Sequence, residues 1–534
     1  MAAEKDEIRP DTPPREDIAV GSVHKAENEE ENNLHKALKD RHLSMIAIGG
    51  ALGTGLLVGT GSGLAKTGPA GVFIDYTVVG GFGGYASRFV DPALGVATGY
   101  AYFFKYLLAT PNQLAAVALI IEFWSGDRVN PAVWITIAFV IILLINLAGV
   151  KSFGEFEFWL SSLKIIIMLG AIILLFVLAL GGGPGFGRTG FRYWRDPGAF
   201  AEYKLQGSLG KFVGVWSTML QAVYAYGGTE LVAVTVAEAQ NPRLAMARAV
   251  KLTFFRILVF YVLSVLFLGM VVPYNSPELA FATKSGTSAA ASPFVVAIKL
   301  AKIEGLDHVV NACLLIFVIS AATSDFYIAT RTLYNIASDG KAPKFLTRTN
   351  GRGVPLFAMI VPTLFCLLAY MSINSGAKAV FSYLTTMVAT FGMLTWISIL
   401  ITHISFTRAV KVHQIPAELF PYRAPLREWG SWAALILLCI LTSTKGFEVF
   451  IHGFDYKNFI VQYIGIPVYL TCLLGYKIFY KTQRVRATEV DLVTGVSTEP
   501  IEDTRARQKA QWEEANLTKH PFIRVFRKVL RVLL

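Results

Sequence analysis

A series of strongly apolar segments, separated by short polar connections, constrains this chain more than any other feature. The first covers residues 43–65, a shorter one covers 72–80, and longer ones follow at about 95–124, 131–149, 159–181, 212–236, 252–273, 306–333, 355–374, 380–404, 431–447 and 459–480. Lipid offers the backbone no hydrogen-bond partners, so apolar segments of about 20 residues cross a bilayer as helices. With 54% hydrophobic and 16% charged residues, the chain is predicted to be an all-α polytopic membrane protein.

The basic residues predict the orientation of these helices, and no nucleic-acid partner is expected. The net charge of +12 is carried by the tails and by short connections that would share one face, at 243–251, 341–352 and 408–427. Cytoplasmic connections carry such an excess of Lys and Arg, so both termini are predicted to be cytoplasmic. The basic loop at 188–204 is the exception and is predicted to be a structured external loop.

Composition divides the chain into three regions. Residues 1–40 are polar and of mixed charge, which is typical of a disordered tail, and residues 41–482 form the membrane domain. Residues 483–534 are predicted to form a second cytoplasmic tail that ends in a basic amphipathic helix over 522–534. The apolar face of this helix predicts contact with membrane lipid, and packing on the protein's own cytoplasmic face is the alternative.

Two glycine-rich interruptions inside apolar segments predict broken helices. The first lies at residues 49–63 and the second at 224–230. Each glycine in a helix interior costs about 1 kcal/mol relative to alanine, and unwound backbone in a bilayer survives only where it faces protein or a water-filled cavity. Two such segments in separate halves indicate the midplane site of a secondary transporter, and close helix packing through small residues is the alternative.

Several motifs resemble those of fungal amino-acid permeases of the amino acid–polyamine–organocation superfamily. They occupy residues 49–63, 68–71, 110–113, 153–159, 228–230 and 324–331. The resemblance implies twelve spans, the first ten forming two inverted five-helix repeats that each begin with a broken helix. The loop at 188–200 and residues 238–243 are most similar to the dicarboxylic (aspartate and glutamate) branch.

The resemblance also implies an activity, which is uptake of L-amino acids across the plasma membrane, driven by the proton gradient without an enzyme reaction or a cofactor. It implies regulation as well, because Lys5, Lys25, Lys36 and Lys39 resemble the ubiquitin acceptors of fungal permeases. Cys313, Cys366, Cys439 and Cys472 show no CxxC spacing, so neither a disulfide framework nor a metal site is expected.

A zwitterionic substrate needs donors for its carboxylate and acceptors for its ammonium. The donors are predicted to be backbone amides around Gly53, Thr54 and Gly55, at the N-terminus of a half-helix. The acceptors are predicted to be free carbonyls near Tyr224, Ala225 and Tyr226, beside the break at Gly227 and Gly228. An acidic substrate needs one further cation, which the sequence does not locate.

Two charged residues within spans are candidates for proton coupling. Glu230 follows the second break and either anchors the broken helix or carries a proton. Lys164 is placed about one and a half turns into its span, and it matches a lysine that some proton-coupled members of the superfamily direct at the first helix. The alternative is that Lys164 snorkels to the nearby cytoplasmic surface.

Other charged residues are predicted to have structural positions. Lys105 is interpreted as an interfacial, snorkelling lysine and Glu122 as a span terminus. Asp325 and Arg331 share one segment, where a structural ion pair and a coupling role are both open. His403 is expected at the membrane interface.

The chain departs from the family in its second span, which is replaced by residues 72–84. A gene-model or splicing error, a re-entrant segment and a protein that does not transport are the three explanations. Alternatives to the acidic-substrate permease therefore stay open, namely a broad neutral amino-acid permease, a nutrient receptor that does not transport, and an inert truncated paralogue.

Overall fold

The computed structural model describes residues 66, 86–184, 187–227, 257–277, 279, 292–375, 377–414, 427–451 and 453–490. Within these ranges the regular secondary structure is entirely helical. The α-helices are α1 (Ala86–Phe89), α2 (Pro92–Ser125), α3 (Pro131–Leu147), α4 (Val150–Ala179), α5 (Gly207–Ala225), α6 (Leu263–Val271), α7 (Pro293–Leu300), α8 (Leu306–Ser338), α9 (Leu356–Phe365), α10 (Ser372–Ser375), α11 (Ala377–Val412), α12 (Arg427–Thr444), α13 (Tyr456–Tyr463) and α14 (Gly465–Tyr480).

Several predicted features lie outside the described residues. These are the tail at 1–40, the first apolar segment apart from the adjoining Lys66, the short second segment, the stretch following the second break and the amphipathic helix at 522–534.

Five helices of the described ranges, α2, α4, α8, α11 and α12, are long and apolar enough to cross a membrane. A sixth crossing results if α13 and α14, which meet at a bend of 42°, form one span. Shorter apolar helices occupy three further predicted segments, at 131–147, 257–271 and 356–371. The all-α membrane architecture predicted from hydropathy is therefore confirmed.

Local sequence sets where the helices begin. Asp91 caps α2, and its Oδ1 accepts a hydrogen bond from the Ala93 N–H at 2.8 Å. Asn130 caps α3 through the Ala132 N–H at 2.9 Å. In both cases proline follows at the first helical position, where its missing N–H costs nothing because no partner exists there.

Helix α2 is the centre of the bundle and packs along α8 and α11. Its residues 114–120 are all buried, with no single apolar face. Large apolar side chains of the surrounding helices point outward instead, and Leu144 of α3, Ile166 of α4 and Ile478 of α14 are 60%, 67% and 75% exposed. Such side chains are suited to contact with lipid.

Two helix boundaries differ from the prediction. The segment expected at 159–181 begins at Val150 and continues through the polar residues Glu155 and Glu157. The segment expected at 380–404 continues to Val412 and includes Arg408 and Lys411. Hydropathy marks apolar stretches, whereas backbone hydrogen bonding carries a helix onward through charged residues.

The two ends of the bundle differ in their contacts. At the end that carries Asp91, its Oδ2 pairs with Lys477 at the end of α14, and its Oδ1 accepts from the Thr482 hydroxyl at 2.8 Å. The Val485 N–H donates to the Val90 carbonyl at 2.9 Å. At the opposite end lies the basic loop that follows α4, where the N–H groups of Thr189 and Gly190 both donate to the Ala179 carbonyl.

The charge state of Asp91 depends on these contacts. Burial by itself would raise the pKa of Asp91, but hydrogen bonds from Lys477, from the Ala93 N–H and from Thr482 outweigh burial and lower it. A carboxyl group with a lowered folded-state pKa stabilises the fold fully above its ordinary value of 3.8, and this contribution is lost as the pH falls through the lowered value.

Asp91→Ala is therefore expected to lower the free energy of unfolding by about 1–3 kcal/mol near neutral pH, because it removes a helix cap and a paired charge. The measurement is the Tm of the purified protein in detergent. Asp339→Ala is the matched control, since Asp339 is 64% exposed in its pair with Lys341 and should contribute less than about 1 kcal/mol. Equal Tm values for the two variants would contradict the assignment.

Candidate functional site

The second predicted break coincides with the end of α5. The helix stops at Ala225, and the Gly227 N–H turns back to the Tyr224 carbonyl at 3.0 Å. The Tyr224 hydroxyl accepts from Asn112 Nδ2 at 2.8 Å, and the same nitrogen lies 3.1 Å from Thr385 Oγ1. Asn112, which is fully buried in α2, thus joins the end of α5 to α11.

Two of the three carbonyls predicted to be free at this helix end, those of Tyr224 and Ala225, already accept hydrogen bonds. The Ala225 carbonyl accepts from the Tyr261 hydroxyl at 3.0 Å, and the Tyr224 carbonyl accepts from the Gly227 N–H. The rings of Tyr226 and Tyr261 stack at 4.9 Å. Since a carbonyl oxygen has two lone pairs, the Ala225 carbonyl can accept one more bond.

The other predicted site residues lie outside the part of the chain that the structure describes, and these are Gly53, Thr54, Gly55, Gly228 and Glu230. Their roles stay predictions.

Lys105 lies inside the bundle, so its predicted interfacial position is wrong. Its side chain is 3% exposed, and a Cβ built on Gly227 would lie 3.7 Å from the Lys105 Nζ. A Cβ built on Gly392 of α11 would lie 3.7 Å from the Lys105 Cε. Lys105 stands about 20 Å along α2 from its start, and the two glycines leave room for the side chain.

Asp325 and Arg331 have separate partners instead of the ion pair considered from the sequence. Asp325 Oδ2 accepts from Gln113 Nε2 at 3.2 Å, and its charge also interacts with that of Lys105. Arg331 donates to the Gly353 carbonyl at 3.2 Å and lies over the Tyr327 ring. Six residues along a helix turn the two side chains to different faces.

Two charged or titratable residues remain from the sequence analysis, Glu122 and His403. Glu122 lies in the last turn of α2, as predicted. His403, expected at the interface, lies about two and a half turns before the end of α11, and its Nδ1 is 2.8 Å from Ser431 Oγ of α12. It therefore joins two helices.

Lys164 is fully buried and pairs with a carboxylate of its own helix. Its Nζ lies 3.3 Å from Glu157 Oε1. The same carboxylate accepts from Ser161 at 2.8 Å and from Ser320 of α8 at 2.7 Å. Because α4 begins at Val150, Lys164 stands almost four turns into the helix and does not snorkel to the surface, which corrects the predicted depth.

A second charged cluster occupies the opposite end of the bundle from Asp91. Glu448 Oε2 is 3.5 Å from Lys204 Nζ and accepts from the Tyr203 hydroxyl at 3.0 Å. Its Oε1 is 4.0 Å from Lys66 Nζ and accepts from Ser217. Burial and the Glu448 carboxylate both raise the pKa of Tyr203, so this phenol stays a donor at physiological pH.

This cluster borders a cavity of about 450 Å³. Side chains of α11, α13, the loop before α5 and the segment after α12 line it. Among the described residues, no group of three or more His, Cys, Asp or Glu side chains is placed to hold a metal ion.

The sequence analysis gave no role to Asn112 or Glu157, and it placed Lys105 wrongly. Asn112 follows Pro111, which removes a hydrogen bond within α2, and a polar residue at such a point in a span was a signal. Glu157 and Lys164 are seven residues apart, a spacing that puts both on one helical face. Nothing in the sequence distinguishes the inward position of Lys105 from an interfacial one.

Comparisons with known proteins agree with this architecture. The sequence profile of the family described as Amino acid permease matches residues 74–488. The chain is 49% identical to a dicarboxylic amino acid permease of Saccharomyces cerevisiae, over 92% of this chain and 84% of that protein. It is 44% identical to an uncharacterised amino-acid permease of Schizosaccharomyces pombe, over 87% and 92%. It is 37% identical to a proline-specific permease of Emericella nidulans, over 91% and 94%.

The buried pair predicts a distinctive pattern of stability. Lys164→Met leaves the Glu157 carboxylate buried without its cation, so the free energy of unfolding is expected to fall by about 3–5 kcal/mol. Adding Glu157→Met removes the stranded charge and is expected to recover most of that loss. The measurement is again the Tm in detergent.

The control for this pair is Lys411→Met. Lys411 is 66% exposed and pairs with Glu428, so its loss should cost less than about 1 kcal/mol. A double variant no more stable than Lys164→Met would show that the two buried charges do not stabilise each other.

Proposed function

The chain belongs to the amino acid permease family, and from that membership we propose that it imports L-amino acids, preferentially aspartate and glutamate, across the plasma membrane together with protons. It is a membrane transporter and not an enzyme. The observation that carries the acidic preference is the 49% identity to a dicarboxylic amino acid permease. The relative named for proline is less similar, at 37% identity.

The substrate site is proposed to form where α5 ends. Asn112, Tyr224 and Thr385 form one wall, and the spare lone pair of the Ala225 carbonyl accepts from the substrate ammonium. The predicted amides of Gly53, Thr54 and Gly55 bind the α-carboxylate. Support comes from the hydrogen bonds of Asn112 to Tyr224 and Thr385, which place two hydroxyl groups beside an interrupted helix.

Lys164 and Glu157 are proposed to carry the coupling proton. Charges in a dry interior are stable only when paired, so a proton leaving the Lys164 ammonium would break its contact with Glu157 and change the packing of α4 against α8. Ser320 of α8 bonds the same carboxylate, which supports this link. Glu230 remains a second candidate.

The orientation is proposed to place the Asp91 end in the cytoplasm. At this end Lys341 contacts Ser87 and Lys477 contacts Asp91, and this position of the two lysines agrees with the positive-inside rule. Both tails would then be cytoplasmic, where lipid contacts of the C-terminal helix and ubiquitin attachment at the N-terminal lysines are expected.

Uptake tests the substrate and the coupling. Permease-deficient yeast expressing this chain should accumulate labelled L-glutamate more strongly at acid than at slightly alkaline pH, and excess L-leucine should compete poorly. Leucine uptake without glutamate uptake would contradict the acidic preference. Uptake of neither would favour a receptor or an inert paralogue, and would direct attention to residues 72–84.

Lys164→Arg tests the proton step with the positive charge kept. Arginine stays protonated at any physiological pH, so this variant should lose acid-stimulated accumulation while still exchanging internal for external substrate. Lys411→Arg, at an exposed position, should behave like the wild type. A normal pH dependence in Lys164→Arg would remove Lys164 from the coupling mechanism.

A further inference from the structure

The cavity at the Glu448 end contains more cations than carboxylates. Its lining includes three lysines, Lys66, Lys204 and Lys445, and two carboxylates, those of Glu448 and Asp455. With a volume of about 450 Å³, the cavity is large enough for an amino acid.

The cavity adjoins the proposed substrate site through Thr385. Thr385 lines the cavity, and its Oγ1 lies 3.1 Å from Asn112 Nδ2. Asn112 also donates to the Tyr224 hydroxyl at 2.8 Å. A molecule that enters from the Glu448 end therefore meets the cavity before it meets the end of α5.

Lys445 differs from the other two lysines of the cavity. Lys66 and Lys204 share Glu448, whereas no carboxylate of the described ranges forms an ion pair with Lys445. Its ammonium donates to Thr390 Oγ1 and lies 5.7 Å from the Tyr463 ring centroid. Lys445 is only 8% exposed, and a buried cation with neutral partners favours a nearby anion.

An unused acceptor lies on the same wall. Gln462 Oε1 is buried and has no hydrogen-bond partner among the described groups. The Thr390 hydroxyl, which accepts from Lys445, donates to the backbone carbonyl of Gln462 at 3.4 Å, so Lys445 and Gln462 are neighbours. Because the Gln462 side chain lines the cavity, a turn of its amide would present Oε1 to an ammonium group on the wall that holds the Lys445 cation.

We propose that this cavity is an entry site for acidic amino acids, in which Lys445 binds the side-chain carboxylate and Gln462 Oε1 accepts from the α-ammonium. The site supplies the further cation that an acidic substrate needs. This inference rests on the proposed acidic preference, and it adds the location and the residue that recognise the second carboxylate.

The test compares L-glutamate with L-glutamine, which has the same shape and no side-chain charge. In Lys445→Met, the KM for glutamate uptake is expected to rise about tenfold, the loss of one charge-assisted contact, while the KM for glutamine stays within about twofold. Lys445→Arg should restore most of the glutamate affinity. Lys211→Met, at an exposed position of α5 outside the cavity lining, is the matched control and should behave like the wild type.

A binding measurement separates this inference from the proposed function. L-glutamate should raise the Tm of the purified wild-type protein more than L-glutamine does, and Lys445→Met should abolish that difference. If glutamate binding depends on Lys445 but glutamate is not taken up, the proposed function is contradicted and the entry site is supported. Glutamate uptake with an unchanged KM in Lys445→Met, or equal KM increases for both substrates, would overturn the site. No glutamate effect on uptake or Tm in the wild type would overturn both.

Discussion

The need to pair every polar group away from lipid governs this structure. Backbone groups meet this need within helices, and several buried side chains meet it by contacting side chains of neighbouring helices. Asn112 shows the consequence, because the amide in the middle of the central helix bonds hydroxyl groups of two neighbouring helices. These contacts join α2, α5 and α11 at one point, where the interrupted end of α5 lies.

Charges are distributed by the same rule. Glu157 and Lys164 lie deep between α4 and α8, where each stabilises the other, while the Asp91 contacts and the Glu448 cluster hold opposite ends of the bundle. A charge that lacks a carboxylate partner among the described residues, such as Lys445, is then informative. It lines a cavity that shares Thr385 with the Asn112 junction, and the proposed entry site rests on this pairing of buried charge.

Hydropathy predicted the helices well and their functional contacts poorly. Segments such as 95–124 and 306–333 correspond to α2 and α8 with small boundary shifts. The end of α5 at Ala225 agrees with the predicted break, since glycine weakens helices wherever it occurs. Lys105 was placed wrongly, because an isolated lysine in an apolar segment reaches either the interface or the interior, and its neighbours Gly227 and Gly392 are far away in sequence.

The sequence by itself determined that the chain is helical, that it belongs in a membrane and that one helix ends near Tyr224. These properties depend on local composition and on the hydrogen-bonding needs of the backbone. Only the tertiary structure decided that Lys164 pairs with Glu157 and Ser320 bonds the same carboxylate, and that Lys445 lines a cavity. The Glu157–Lys164 pair lies within α4, but the Ser320 contact and the cavity lining join different helices, and which faces meet depends on the packing of the whole bundle.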